Sequence, residues 1–338
     1  SSDVCSSDLN KQRKNMNNLK KIGLTALAAS LVSTSVFAGE MTVSGSASIT
    51  VENYSIDQRN SGKGFSMGNQ ITFSGSSELD NGMNVSVSFV IDEFDGDTTA
   101  INGPADGSIF DAHSVTVSSD ALGTLVFSGE GGSSAQSALD TTAAGDIWDT
   151  FDGTTGTTVF TSTTANNSLL YTLPSIVDGL SVSASYVPQG SGAASSTAYA
   201  ATYTGIEGLS VSYGVGEQEA DSTAQGDTTT MKASYAYGPV TVAYSNNDHA
   251  TETSSKDQET TSYSVSYTVS DAISVSYGEE TIDEEGDTLD AEFSKVSASY
   301  TSGGMTVTAT SAEAKDALHG TAANQDKDYW SLGLSFAF

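Results

Sequence analysis

Large apolar residues recur at every second position through much of this chain, and the run from Tyr329 to Phe338 shows the pattern without a break. Trp330, Leu332, Leu334, Phe336 and Phe338 share one side; Ser331, Gly333, Ser335 and Ala337 share the other. Side chains alternate faces along extended backbone, so period two predicts a strand with one greasy and one small or polar face. The same pattern fills Met41 to Asn53, where Met41, Val43, Ala47, Ile49 and Val51 oppose Ser44, Ser48 and Glu52. It returns in Met83 to Ile91 through Val85, Val87 and Phe89. A Leu-Ser-Val-Ser-Tyr type phrase recurs at Leu209–Tyr213, Tyr263–Tyr267 and Ile273–Tyr277, so the repeating unit is a hairpin strand.

Punctuation between the runs sets their order. Asn81-Gly82 supplies the positive φ angles of a tight hairpin, so the runs on either side pair directly. Short turns at Asp80–Gly82, Asp120–Gly123, Pro174–Gly179, Gly205–Gly208, Gly238-Pro239, Ser270–Ala272 and Ser302–Gly304 alternate with long, mostly acidic connections. The longest connection, the third of the long ones, runs from Glu130 to about Ala165. Sixteen strands result, an even count that brings both termini to one end of a closed sheet. The predicted fold class is therefore all-β: a transmembrane, 16-stranded antiparallel β-barrel with short periplasmic turns and long extracellular loops. Tyr203, Tyr237 and Tyr300 fall near the short turns and Tyr186, Tyr213, Tyr244 and Tyr277 near the long loops, giving two aromatic girdles. The competing reading is a secreted Ser/Thr-rich β-sandwich or surface-layer adhesin, in which tyrosines pair across strands of a soluble sheet.

Charge changes the picture of partners. Met16 opens a secretory leader with Lys20 and Lys21 as its basic part, Ile22 to Val32 as a short apolar core and Val36-Phe37-Ala38 as the cleavage site. Residues 1–15 read as a non-native extension from a sequencing artefact, and residues 39–338 as the barrel. Of 12 Lys and Arg and 42 Asp and Glu, seven and 40 respectively follow Ala38, a net charge of −33. Such a surface excludes nucleic acid and concentrates cations. The single cysteine, Cys5, precedes the leader, so no disulfide framework closes the fold.

Candidate chemistry is sparse. His113, His249 and His319 have no metal-ligand spacing, the histidines in loops read as solvated, and Gly214-Val215-Gly216 is a strand end with no helix behind it. The acidic runs Asp92–Asp97 and Asp283–Asp287 lack the ligand pattern of a calcium loop. No catalytic residue, metal or cofactor is expected. Parity supplies the useful assignments instead. With Met231, Ala233 and Tyr235 facing lipid, Lys232 points into the lumen; with Val296, Ala298 and Tyr300 facing lipid, Lys295 does too, and Glu52 joins them from the first strand. Against these wall residues the third long loop sets Glu130, Asp140, Asp146, Asp149 and Asp152 around Trp148 and Phe151, opposed charges that would orient solutes at a waist.

Asn166–Tyr186, with Tyr171, Pro174, Gly179 and Leu180 at matching spacing, and Ser118–Gly129 resemble strands of the general bacterial porins, and the resemblance extends over residues 39–338. It implies a homotrimer in outer-membrane lipid, a third loop folded into the lumen, and passive diffusion of small hydrophilic solutes. The Trp330, Leu332, Leu334, Phe336, Phe338 ending resembles the closing strand of outer-membrane barrels, which implies recognition by the barrel-insertion machinery. Porins of this family commonly carry a ladder of basic wall residues. Here residues 41–129 hold only Arg59 and Lys63, both in the first long loop, so the expected preference is for cations.

Overall fold

The computed structural model describes residues 41–54, 62–92, 111–151, 166–188, 195–218, 226–251, 257–317 and 326–338. The leader and its cleavage site, the extension at residues 1–15, Arg59, the side chain of Lys63, Asp152 and His319 lie outside the described residues.

Residues 41–338 form one compact unit whose strands make a single closed antiparallel sheet. The first wall comprises β1 (Thr42–Tyr54), β2 (Gly62–Glu78), β3 (Asn84–Asp92), β4 (Ala112–Ser119) and β5 (Gly123–Glu130). After a long segment come β6 (Ser168–Thr172), β7 (Leu180–Val187), β8 (Ser196–Tyr203), β9 (Leu209–Gln218), β10 (Gly226–Tyr237) and β11 (Val240–Thr251). The circuit ends with β12 (Gln258–Ser270), β13 (Ile273–Glu284), β14 (Ala291–Ser302), β15 (Met305–Lys315) and β16 (Lys327–Ala337). Each strand pairs with its neighbours in sequence, and β16 returns to β1. No sandwich survives this topology, because there is one sheet and it has no free edge. Among the described residues no helix is long and apolar enough to cross a membrane; the crossing elements are strands.

Closure at the seam is continuous. Val51 faces Leu332, Ile49 faces Leu334 and Ala47 faces Phe336, and the ladder runs on to Gly45 and Phe338, whose amides donate to each other's carbonyls at 2.7 and 2.9 Å. Trp330, Leu332, Leu334, Phe336 and Phe338 all lie on the outer face, with Phe338 76 % exposed. At the β2–β3 hairpin Gly82 takes φ +78° and the Met83 amide donates to Asn81 Oδ1 at 3.1 Å, the Asx geometry that makes Asn-Gly a turn.

Tyrosines form two rows on the outer face of β7 to β14. Tyr186, Tyr213, Tyr263 and Tyr277 line the long-loop side, and Tyr203, Tyr235, Tyr237, Tyr267 and Tyr300 the turn side, each exposed between valines and alanines. Tyr244 and Tyr263 are register partners with ring centroids 5.1 Å apart. Between the rows the outward positions are apolar, as a lipid-facing band requires. Lumen-facing hydroxyls pair between strands, as in Ser274–Ser299 at 2.8 Å and Ser297–Thr310 at 3.2 Å, which satisfies them within the wall.

Several strands outrun their sequence limits at the long-loop end. β11, β13 and β15 are expected to stop at Asn246, Glu279 and Thr310 but continue to Thr251, Glu284 and Lys315. Beyond the tyrosine row the outer face meets water, so outward residues become polar there, and the ladder continues without the apolar cue. One consequence corrects the reading of loop histidines as solvated: His249 sits on the β11 extension, 7 % exposed, with Nδ1 2.6 Å from Thr228 Oγ1.

Candidate pore constriction

The segment after β5 turns into the barrel and runs as a strap along the inner faces of β7 to β15. It carries one short helix, α1 (Ser137–Asp140), and a 3-10 turn at Ile147–Phe151. Between them Asp146 takes φ +48°, its carboxylate accepting from the Thr142 amide at 2.9 Å while its own amide donates to Thr142 Oγ1 at 2.8 Å. Aspartate tolerates the left-handed region and closes such turns on its own backbone, which is why a bend forms here.

Wall side chains hold the strap almost residue by residue. Ser185 Oγ on β7 accepts from the Ala135 amide at 2.8 Å, and Gln136 Nε2 donates to Thr230 Oγ1 on β10 at 3.0 Å. Asn247 donates to the Asp140 carbonyl at 2.9 Å. Ser245 accepts from the Ala143 amide at 2.7 Å, Ser262 accepts from the Ala144 amide at 3.0 Å, and Ser264 donates to the Ala143 carbonyl at 2.7 Å. Glu280 on β13, 1 % exposed, accepts from Thr142 Oγ1 and, at 3.1 Å, from the Trp148 amide. Its two oxygens are thereby occupied by donors of one turn, the condition for burying a carboxylate.

The far end of the strap is held by apolar contact. Ile147 and Phe151, both fully buried, pack among Ile282, Ala291, Phe293, Ala312 and Ala314. Phe151 lies 5.9 Å from the Phe293 ring and edge-on to Tyr329 at 6.4 Å. Tyr329 in turn donates to Glu52 Oε2 at 3.0 Å, so the strap reaches the β16–β1 seam. Ile282, Phe293 and the three alanines all face inward, opposite to the lipid-facing residues of their own strands.

Glu130 closes β5 and stands at the root of the strap, lining a recess with Ser88, Ser114, Ser128 and Ser133. Asp140, Asp146 and Asp149 lie on the strap itself; Asp149 is exposed and the other two are half-buried. Lys232 and Lys295 do point inward, yet they lie beneath the strap: Lys232 donates to the Thr141 carbonyl at 2.6 Å and Lys295 to the Gly145 carbonyl at 3.1 Å. Charges facing each other across an open waist give way to lysines that hold the strap's main chain. The opposite wall offers hydroxyls and amides, among them Ser44, Ser46, Ser48 and Thr50 on β1 and Gln70 and Thr72 on β2.

Sequence reasoning passed over Glu280, the Ser245–Ser262–Ser264 group and the Ile282–Phe293 cluster. A signal for the cluster exists. Ile273, Val275 and Tyr277 hold odd positions but Ile282 an even one, while Val296, Ala298 and Tyr300 hold even positions but Phe293 an odd one. That change of parity marks where the apolar face passes from lipid to strap. Among the described residues no group of three or more His, Cys, Asp or Glu could hold a metal ion.

Comparison with known proteins agrees with this architecture. A family model described as Gram-negative porin matches residues 23–288. Among solved structures, an anion-selective porin from Comamonas acidovorans is similar with a TM-score of 0.66 at 15 % identity, over 89 % of this chain and 100 % of that one. A porin refined at 1.8 Å resolution is similar at 20 % identity, also with a TM-score of 0.66, over 88 % and 100 %. A Rhodopseudomonas blastica porin mutant follows at 16 % identity, TM-score 0.63, over 88 % and 100 %. No curated protein matches the chain.

Proposed function

The chain belongs to the Gram-negative porin family, whose members are outer-membrane channels, and from that premise we propose that it is a water-filled pore for passive diffusion of small hydrophilic solutes with a preference for cations. What supports the sign is the disposition of charge at the strap. Among the described residues three lysines hold inward positions: Lys232 and Lys295 are bonded to strap carbonyls and Lys327 is 5 % exposed. On the strap itself Asp149 is exposed, while Asp140 and Asp146 are half-buried. A narrow passage lined by carboxylates, with its cations withdrawn into the wall, favours positive ions. The anion selectivity of the Comamonas porin is not carried over, because a likeness at 15 % identity speaks for the fold alone.

The outer faces of β1 to β5 present Phe65, Met67, Ile71, Val115 and Phe127 in place of the tyrosine rows. That apolar arc without a headgroup-level girdle suits contact with a second and third copy, so we assign it to a homotrimer. Phe338 serves as the signal read by the barrel-insertion machinery, and the leader ending at Ala38 is removed on export.

Stepwise current increments in a planar bilayer, together with detergent-dependent extraction and a heat-dependent change in gel mobility, are the expected results. A protein that stays in solution without detergent and never inserts would refute the pore.

A further inference from the structure

Gly214 and Gly216 on β9 and Gly278 on β13 occupy lumen-facing positions directly under the strap. None of the three lies in the left-handed region, so backbone conformation does not call for glycine at any of them. Space does. An ideal Cβ at Gly278 would stand 2.5 Å from the Ala144 Cβ and 3.2 Å from its Cα; at Gly214 it would meet Gln136 Cγ at 3.2 Å. Gly333, a lumen-facing glycine on β16 away from the strap, has nothing nearer than Thr50 Oγ1 at 3.8 Å. Glycine inside a strand weakens it and commonly marks the close approach of another backbone.

At Gly278 the approaching backbone has little freedom to step aside. Ala143 is bonded to the wall through both its amide and its carbonyl, Ala144 through its amide to Ser262, and Gly145 through its carbonyl to Lys295. Gly278 lies at the centre of these anchors, since its register partners are Ser264 and Lys295 themselves. A side chain introduced there meets Ala144 head-on, and the one direction left to the strap is toward the barrel axis.

We propose that Gly278 sets the calibre of the channel: the missing side chain lets the strap lie flush against the wall, and any substituent lifts it into the lumen in proportion to size. This rests on the reading of the strap as the constriction. Gly278→Ala, Gly278→Val and Gly278→Leu should each insert and lose single-channel conductance in that order. Ala144→Gly placed in the Gly278→Ala background removes the opposing Cβ and should recover most of the loss, while Gly333→Ala should conduct like the parent. If the larger variants fail to insert, Gly278→Ala and its Ala144→Gly partner still decide the matter. Unchanged conductance in an inserted Gly278→Ala and Gly278→Leu, or a loss that Ala144→Gly does not relieve, would overturn the inference. Removal of residues 134–150 separates the two readings. A rise in conductance on removal with indifferent Gly278 variants sinks only the glycine seat, whereas no change on removal sinks the strap as constriction.

Discussion

Val265→Lys is expected to destabilise the barrel by about 2–4 kcal/mol, the range for a basic residue placed at the lipid midplane, whereas Ser266→Lys, one residue further along β12, is expected to insert normally. Val265 lies on the outer face between Tyr263 and Tyr267, which are 56 % and 45 % exposed and belong to the two tyrosine rows, so its side chain faces the apolar band. Its register partners, Val242 and Tyr277, are outward and offer no carboxylate to a new ammonium group. Ser266 points into the lumen beside Thr241 and Ser276, where water solvates the charge. Urea titration of refolding into lipid vesicles measures the difference. Equal stability of the two variants would mean that the inside–outside assignment of β12 is wrong.

Phe151→Ala should release the far end of the strap. Truncating a fully buried phenylalanine costs about 3–5 kcal/mol, and Phe151 is 0 % exposed among Phe293, Tyr329 and the inward alanines. A neutral hydrogen bond contributes about 0.5–1.5 kcal/mol net, so the apolar cluster outweighs any single wall bond in keeping the strap seated. The chain has two tryptophans, Trp148 and Trp330. Trp330→Phe therefore leaves Trp148, within the strap's 3-10 turn, as the sole indole. In that background Phe151→Ala should shift indole emission to the red and make single-channel current noisier. An emission spectrum and a current trace matching those of the Trp330→Phe parent would show that the cluster does not anchor the strap.

Most of the barrel is legible in the sequence because lipid imposes a strict rule. Wherever Met231, Ala233 and Tyr235, or Val296, Ala298 and Tyr300, must face hydrocarbon, period two is enforced and strand identity and register follow. Turns such as Asn81-Gly82 are equally plain, since few residues adopt their angles. Legibility fails where the rule lapses. Past the tyrosine rows water bathes the outer face, so the alternation that locates β11 and β13 gives out at Asn246 and Glu279 although the hydrogen-bonded ladder continues. Inward positions there answer to the strap, a contact between residues more than a hundred apart in sequence, such as Thr142 and Glu280. Parity placed Lys232 and Lys295 in the lumen but could not show what they would bond to, because the path of the strap depends on Gly278, Glu280 and Phe293 together.

A reversal potential under a KCl gradient requires a pore and reports the sign of its selectivity in one reading. A cation-preferring potential is predicted. It should be largest in dilute salt, because charges act over about 10 Å at 0.1 M and about 3 Å at 1 M, and Asp140→Asn, Asp146→Asn and Asp149→Asn combined should reduce it. A chloride preference, or a potential that the three neutralised carboxylates leave unchanged, would show that the strap's carboxylates do not set the sign of the pore.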